Sequence, residues 1–251
     1  MSVASPFVFV HGLFGPLEDD AIFRQLAGAP CSAPDLDGYG DSAGHPVTLA
    51  GQVKALRSHI MQRYPGFRVN LVGHSIGAVY AFTLADESPE LIATITTVEG
   101  NFSLADAFWS SSIAALDDGD ARLSIEARLA DPAGFLEGDG ILPTPDRLRK
   151  AEEALAYQPW RTVWESAIAV VKATGTPHYQ AMLKRAFDRH EVYLVAGERS
   201  VSNWDVPVWA RTAARGSVIL PGAGHLMMLD QPEAFGLLIG ELITGTTTSM
   251  H

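Results

Sequence analysis

The sequence predicts an α/β fold: a mostly parallel sheet with helices on both faces, interrupted by one inserted helical cap. Three features point there. Short runs that are apolar throughout, such as Phe7-Val8-Phe9-Val10, suit strands buried on both faces. Helix-patterned stretches alternate with those runs, as they do when crossover helices join parallel strands. From about residue 102 to residue 189 the pattern is helical with no convincing strand, so this stretch reads as a lid inserted between two strands. The core is expected at 1–101 and 190–251, and the helical cap at 102–189.

Composition limits the function classes. At 251 residues, 47% apolar and 19% charged, the chain has the make-up of a soluble globular domain large enough to bury a substantial core. Its net charge of −11 argues against nucleic acid and anionic membrane as partners. Cys31 is the only cysteine, which excludes an intrachain disulfide and a cysteine-based metal site. The N-terminus has no basic segment followed by a long apolar run, and no apolar stretch reaches membrane-spanning length. The expectation is a cytoplasmic protein with no cofactor or metal.

The first strand, 7–10, ends in His11-Gly12-Leu13-Phe14-Gly15. Residues 17–27 read as a helix with Ile22, Phe23 and Leu26 on one face. A weak strand at 31–36 leads into the loop Asp37-Gly38-Tyr39-Gly40-Asp41-Ser42. Thr48 is placed to cap a helix running to about Tyr64, with Val53, Leu56 and Ile60 spaced for a buried face, and Pro65-Gly66 stops it. The strand Val69-Asn70-Leu71-Val72 follows, then Gly73-His74-Ser75-Ile76-Gly77, then a helix from Ala78. A further buried strand lies within 91–98 and ends at Glu99-Gly100-Asn101. Inside the insertion, Gly/Pro breaks fall at 132–134, 138–140, 143–145 and 175–177. Residues 191–196 resume the strand pattern, 204–214 suggest a helix, 217–220 a last strand and 231–243 a last helix. The tail at 246–251 is expected to fray.

A serine between two glycines at a strand-to-helix junction is the nucleophile elbow G-x-S-x-G. The turn is so sharp that a Cβ at Gly73 or Gly77 would collide with neighbouring chain, and Ser75 must take a strained backbone geometry. Such a hydroxyl attacks only if a base takes its proton, and the base is usually a histidine oriented by a carboxylate. Of eight histidines, His225 is the candidate, because its Gly-flanked loop Gly222-Ala223-Gly224-His225 follows the last strand at the same sheet edge as Ser75. His74 is expected to point away into packing. His45, His59, His178 and His190 read as solvated or structural.

These motifs resemble the α/β-hydrolase-fold family with a helical cap. The resemblance rests on His11-Gly12-Leu13-Phe14-Gly15, Asp35-Leu36-Asp37-Gly38-Tyr39-Gly40-Asp41-Ser42, Gly73-His74-Ser75-Ile76-Gly77, Gly197-Glu198-Arg199-Ser200 and Gly224-His225-Leu226 with Asp230-Gln231-Pro232. It implies an oxyanion hole formed by the backbone N–H groups of Leu13 and Ile76. The family commonly places its triad acid where this chain has Ser200, and a serine cannot carry the charge. Glu99, ending the strand beyond the elbow strand, is the favoured substitute. Asp205 and Glu198 are the alternatives.

An elbow serine sets aside the epoxide hydrolases and haloalkane dehalogenases of this fold, which use aspartate there. What the resemblance implies is a serine hydrolase acting on small, largely apolar carboxylic esters or related acyl compounds. A carbon–carbon bond hydrolase, an acyltransferase or a non-catalytic hydrolase-like binding protein are the other readings. The insertion's Phe102, Phe108, Trp109, Trp160 and Trp164 could line an apolar pocket or simply pack the lid on the core. Arg122, Arg128, Arg147, Arg149 and Lys150 read as solvated helix faces.

Overall fold

A computed structural model describes residues 4–245; the expected tail at 246–251 lies outside them. Six strands form one sheet: β1 (Phe7–Val10), β2 (Cys31–Ser32), β3 (Val69–His74), β4 (Ile92–Val98), β5 (Glu191–Gly197) and β6 (Gly216–Leu220), in the order β2-β1-β3-β4-β5-β6. Every neighbouring pair is parallel. The helices are α1 (Asp20–Phe23), α2 (Leu49–Arg63), α3 (Gly77–Glu87), α4 (Phe108–Ala114), α5 (Asp118–Leu129), α6 (Pro132–Glu137), α7 (Pro145–Ala156), α8 (Trp160–Thr174), α9 (Pro177–Arg189), α10 (Val208–Ala213), α11 (Met227–Asp230) and α12 (Pro232–Thr244).

The two-residue alternation of the strands divides the core in two. Val8, Val10, Leu71 and Leu194 face a layer built on α2, α3 and α9. Phe7, Phe9, Val72 and Val195 face the opposite layer, with Ile22 of α1 and Phe235, Leu238 and Ile239 of α12. Both faces of the sheet are therefore covered, which is why its strands read as unbroken apolar runs. The chain between β4 and β5 is helical, with α4 to α9 and a short 3₁₀ turn at Leu104–Ala107. Several of the expected Gly/Pro breaks are helix starts. Pro132, Pro145 and Pro177 each occupy the first turn, where a missing N–H costs nothing, and Asp131, Thr144 and Thr176 cap them.

Three weak readings shrink. The helix expected over 17–27 is only Asp20–Phe23: Asp19 caps its start, Gln25 and Leu26 bond three residues back instead of four, and Ala27 and Gly28 then turn away with left-handed φ of 51° and 75°. The strand at 31–36 keeps two residues, since Pro34 has no N–H to give a ladder. The helix at 204–214 begins only after Pro207 and spans Val208–Ala213.

The functional geography follows from the strand order. β1 pairs with β2 on one side and β3 on the other, so the connections leave in opposite directions at β1 and β3. Open parallel sheets bind ligands beyond the carboxyl ends of the strands at such a point. Val10 is level with Gly73, His74 with Val98, and Gly197 with Leu220. The loops carrying Gly12, Ser75, Glu99, Ser200 and His225 consequently leave one edge of the sheet.

Candidate active site

Ser75 sits on the turn between β3 and α3 with φ of 52°, in the left-handed region that non-glycine residues rarely adopt. A Cβ on Gly77 would lie 2.3 Å from the Val10 carbonyl oxygen, and one on Gly73 would lie 2.7 Å from Ala78 Cα. Both glycines are therefore required by the closeness of β1 and α3 to the turn. The Ser75 N–H donates to the Val98 carbonyl at 2.9 Å, which ties the turn to the end of β4. A Cβ on Gly12 would meet Ser75 Cβ at 3.2 Å, so the turn after β1 lies directly against the serine. Among the described residues, the N–H groups of Leu13 and Ile76 have no acceptor in the protein, although both residues are buried.

Glu99 is a second left-handed residue, with φ of 44°, on the turn that ends β4. It is buried, and its carboxylate is fully occupied. Oε2 accepts Nδ1–H of His225 at 2.7 Å, while Oε1 accepts the Gly197 N–H at 2.8 Å and the Ser200 hydroxyl at 2.5 Å. Burial alone would raise the carboxyl pKa. The His225 hydrogen bond and charge, with the Ser200 and Gly197 donors, outweigh burial and hold it below the ordinary value. His225 responds in the opposite sense: burial would lower its pKa, but the Glu99 hydrogen bond and the charges of Glu99 and Asp139 raise it. With Nδ1 protonated toward Glu99, Nε2 of the neutral ring is the atom able to take a proton.

Ser75, Glu99 and His225 line one cavity of about 640 Å³, with Phe14, Trp109 and Phe135 supplying apolar wall. No direct hydrogen bond joins the Ser75 hydroxyl and His225 among the described residues; the two side chains share the cavity wall, with His225 39% exposed.

Neither alternative acid reaches the imidazole. Glu198 points outward and accepts the Gly222 N–H at 2.7 Å. Asp205 is exposed, and its carboxylate accepts the Ser103 hydroxyl at 3.4 Å. The reading of His74 as packing needs correction. Its ring is buried, yet its Nε2–H donates to the His225 carbonyl at 3.0 Å and the two rings lie 4.6 Å apart. Burial and the nearby His225 charge push its pKa well down, so it stays neutral and acts as a donor.

Among the insertion's aromatics, Trp109 lines the cavity, whereas Phe102 is buried against Phe82 and Phe187, and Trp160 packs against Trp164 with the rings tilted. The side chain of Phe108 lies outside the described residues. Arg128, read from sequence as a solvated face, lines the cavity and lies over the Trp109 ring at 4.6 Å. Two residues escaped sequence reasoning. Ser200 supports Glu99, and Asp139, in the loop after α6, accepts the N–H groups of His225 and Leu226. Ser200 was read only as the place of a missing acid, not as a hydroxyl that supports the carboxylate one strand away, and Asp139 carries no motif. No helix among the described residues is long and apolar enough to cross a membrane.

A model of the family described as "Alpha/beta hydrolase family" matches residues 7–236. The chain is 34% identical over 103 residues to a triacylglycerol lipase from Pseudomonas fragi, covering 38% of this chain and 34% of the lipase. The chain thus spans about a third of the length of that curated relative. An esterase from Thermogutta terrifontis superposes with a TM-score of 0.70 at 19% identity, over 97% of this chain and 90% of the esterase. A haloalkane dehalogenase from Bradyrhizobium elkani superposes with a TM-score of 0.71 at 19% identity, over 98% and 91%. At these identities the two structures share the fold.

Proposed function

We propose that this chain, which belongs to the alpha/beta hydrolase family, is a serine hydrolase that cleaves small, largely apolar carboxylic esters or related acyl compounds through an acyl-enzyme on Ser75. The observation that carries the reading is the Glu99–His225 hydrogen bond in a cavity whose wall also holds Ser75. Nε2 of His225 takes the hydroxyl proton as the Ser75 oxygen bonds to the acyl carbon. The N–H groups of Leu13 and Ile76 receive the resulting oxyanion, each contributing about 3 kcal/mol to the barrier reduction. The tetrahedral species collapses, the carbon–oxygen bond of the ester breaks, and His225 returns its proton to the leaving alcohol. Water, deprotonated by the same nitrogen, then releases the acid and restores Ser75. Glu99 keeps Nδ1 protonated throughout and answers the imidazolium charge. On this reading the described residues 4–101 and 190–245 make up the core, and 102–189 the cap over the cavity.

The apolar wall of Phe14, Trp109 and Phe135 favours an acyl group of modest size. Serine at the elbow makes halide displacement through an aspartyl ester unavailable to this chain, despite the shared fold with a dehalogenase. Hydrolysis of p-nitrophenyl butyrate tests the reading. Turnover should fall at least about a thousandfold in Ser75→Ala and at least about a hundredfold in Glu99→Gln. Undiminished turnover in Ser75→Ala, or none in the unmodified protein, overturns it.

A further inference from the structure

The loop Gly138-Asp139-Gly140 of the helical insertion reaches across to the loop after β6. Asp139 Oδ1 accepts the His225 N–H at 2.8 Å, and Oδ2 accepts the Leu226 N–H at 2.9 Å. The carboxylate is nearly enclosed, with 14% of its side chain exposed. Gly224 leaves room for it, since a Cβ there would come within 2.6–2.8 Å of all three carboxylate atoms. The backbone of the same loop is held too. Arg199, after β5, donates to the Asp139 carbonyl at 3.0 and 3.2 Å, to the Gly222 carbonyl, and to Asp230 at 3.1 Å. Arg147 of α7 closes the group on Asp230 at 2.7 Å. Two half-buried N–H groups in tandem are best met by a strong acceptor, and a carboxylate is the strongest that the side chains offer.

We propose that Asp139, supplied by the helical insertion, is the positioning residue for His225, fixing the imidazole against Glu99 by holding the two peptide N–H groups that flank the His225 Cα. The proposal rests on the reading of His225 as the base. It gives the insertion a part in the reaction beyond covering the cavity, because the histidine loop has no other side-chain acceptor for these two N–H groups among the described residues. The charged and titratable groups facing the ring are Glu99 from the end of β4, Asp139 from the insertion and His74 from the end of β3, with Arg199 behind the loop. Of the two carboxylates, Glu99 bonds the ring and Asp139 holds the backbone. Loss of the Asp139 charge therefore removes one of two fields favouring imidazolium, which the raised His225 pKa reflects.

The test follows His225 by its imidazole proton resonances in Ser75→Ala protein, and separately follows kcat/KM for p-nitrophenyl butyrate against pH. Asp139→Asn keeps the shape but loses the charge and turns one acceptor into a donor facing an N–H. The imidazole titration and the acid limb of kcat/KM should both move to lower pH, and plateau kcat/KM should fall roughly tenfold. Gly224→Ala, which displaces the carboxylate, should move both the same way and provides the test if Asp139→Asn does not fold. An unmoved imidazole titration overturns the proposal, even with plateau activity reduced, since a purely structural loop contact would give that result. Activity surviving in Ser75→Ala would instead sink the hydrolase reading, and the resonance titration would still judge Asp139.

Discussion

Ser200 stands where the resemblance leads one to expect an acid, and the structure gives its hydroxyl to Glu99 as a donor at 2.5 Å. The carboxylate bonded to the His225 ring leaves the end of β4 instead, one strand along the sheet. Glu99 could be offered as a partner for His225 because only a few carboxylates end strands nearby, and the hydrogen bond between the two agrees with that pairing. The buried histidines under the site were less legible, since nothing in a sequence reports which ring is dry. His11 is buried at the end of β1, its Nδ1–H donating to the Gly12 carbonyl at 2.9 Å. Burial lowers its pKa from 6.5 to about 4, against smaller opposing effects of Gly12 and Asp35. A base with a depressed folded pKa stabilises the fold above its unfolded pKa, and that stability drains away as pH falls from about 6.5 to about 4. The loss amounts to roughly 3 kcal/mol. Calorimetric melting from pH 7 down to about 4.5 should therefore show a steeper fall in Tm for the unmodified protein than for His11→Asn. Parallel falls would contradict it.

At the scale of elements, strongly patterned segments were legible and weakly patterned ones were not. β1, β3 and α2 match their apolar spacing and their stop signals, and Thr48 caps α2 by accepting the Gly51 N–H at 3.0 Å. Segments 17–27, 31–36 and 204–214 carry helix-like or strand-like residues, but left-handed Ala27 and Gly28, Pro34 and Pro207 cut them short. The β3–α3 turn was the clearest element because its glycines have a steric purpose. A Cβ at Gly77 would sit 2.3 and 2.4 Å from the carbonyl oxygens of Val10 and His11, whereas one at Gly44 would point into open space. Gly77→Ala should cost about 3 kcal/mol and depress Tm by several degrees, and Gly44→Ala should leave it nearly unchanged. Equal melting of the two variants would mean that β1 and α3 do not meet at that turn.

For the whole molecule, strand order does most of the assembly. Five loops leaving the carboxyl edge bring Gly12, Ser75, Glu99, Ser200 and His225 to one place from positions far apart in the chain, which topology alone could foretell once the strands were found. What stayed hidden was the contribution of the helical insertion. Asp139 acts on backbone N–H groups, and such contacts leave no residue pattern; Trp109 and Phe102 look alike in sequence, yet one faces the cavity and the other the core. The proposed function requires one hydroxyl in this assembly to be a nucleophile armed by its neighbours. Treating the protein with a fluorophosphonate and mapping the modified peptide by mass spectrometry measures this directly. A single adduct on Ser75 is expected, absent from Ser75→Ala and forming at least about a hundredfold more slowly in His225→Ala. An adduct on another serine, or ester turnover by a protein that the reagent leaves unmodified, would contradict it.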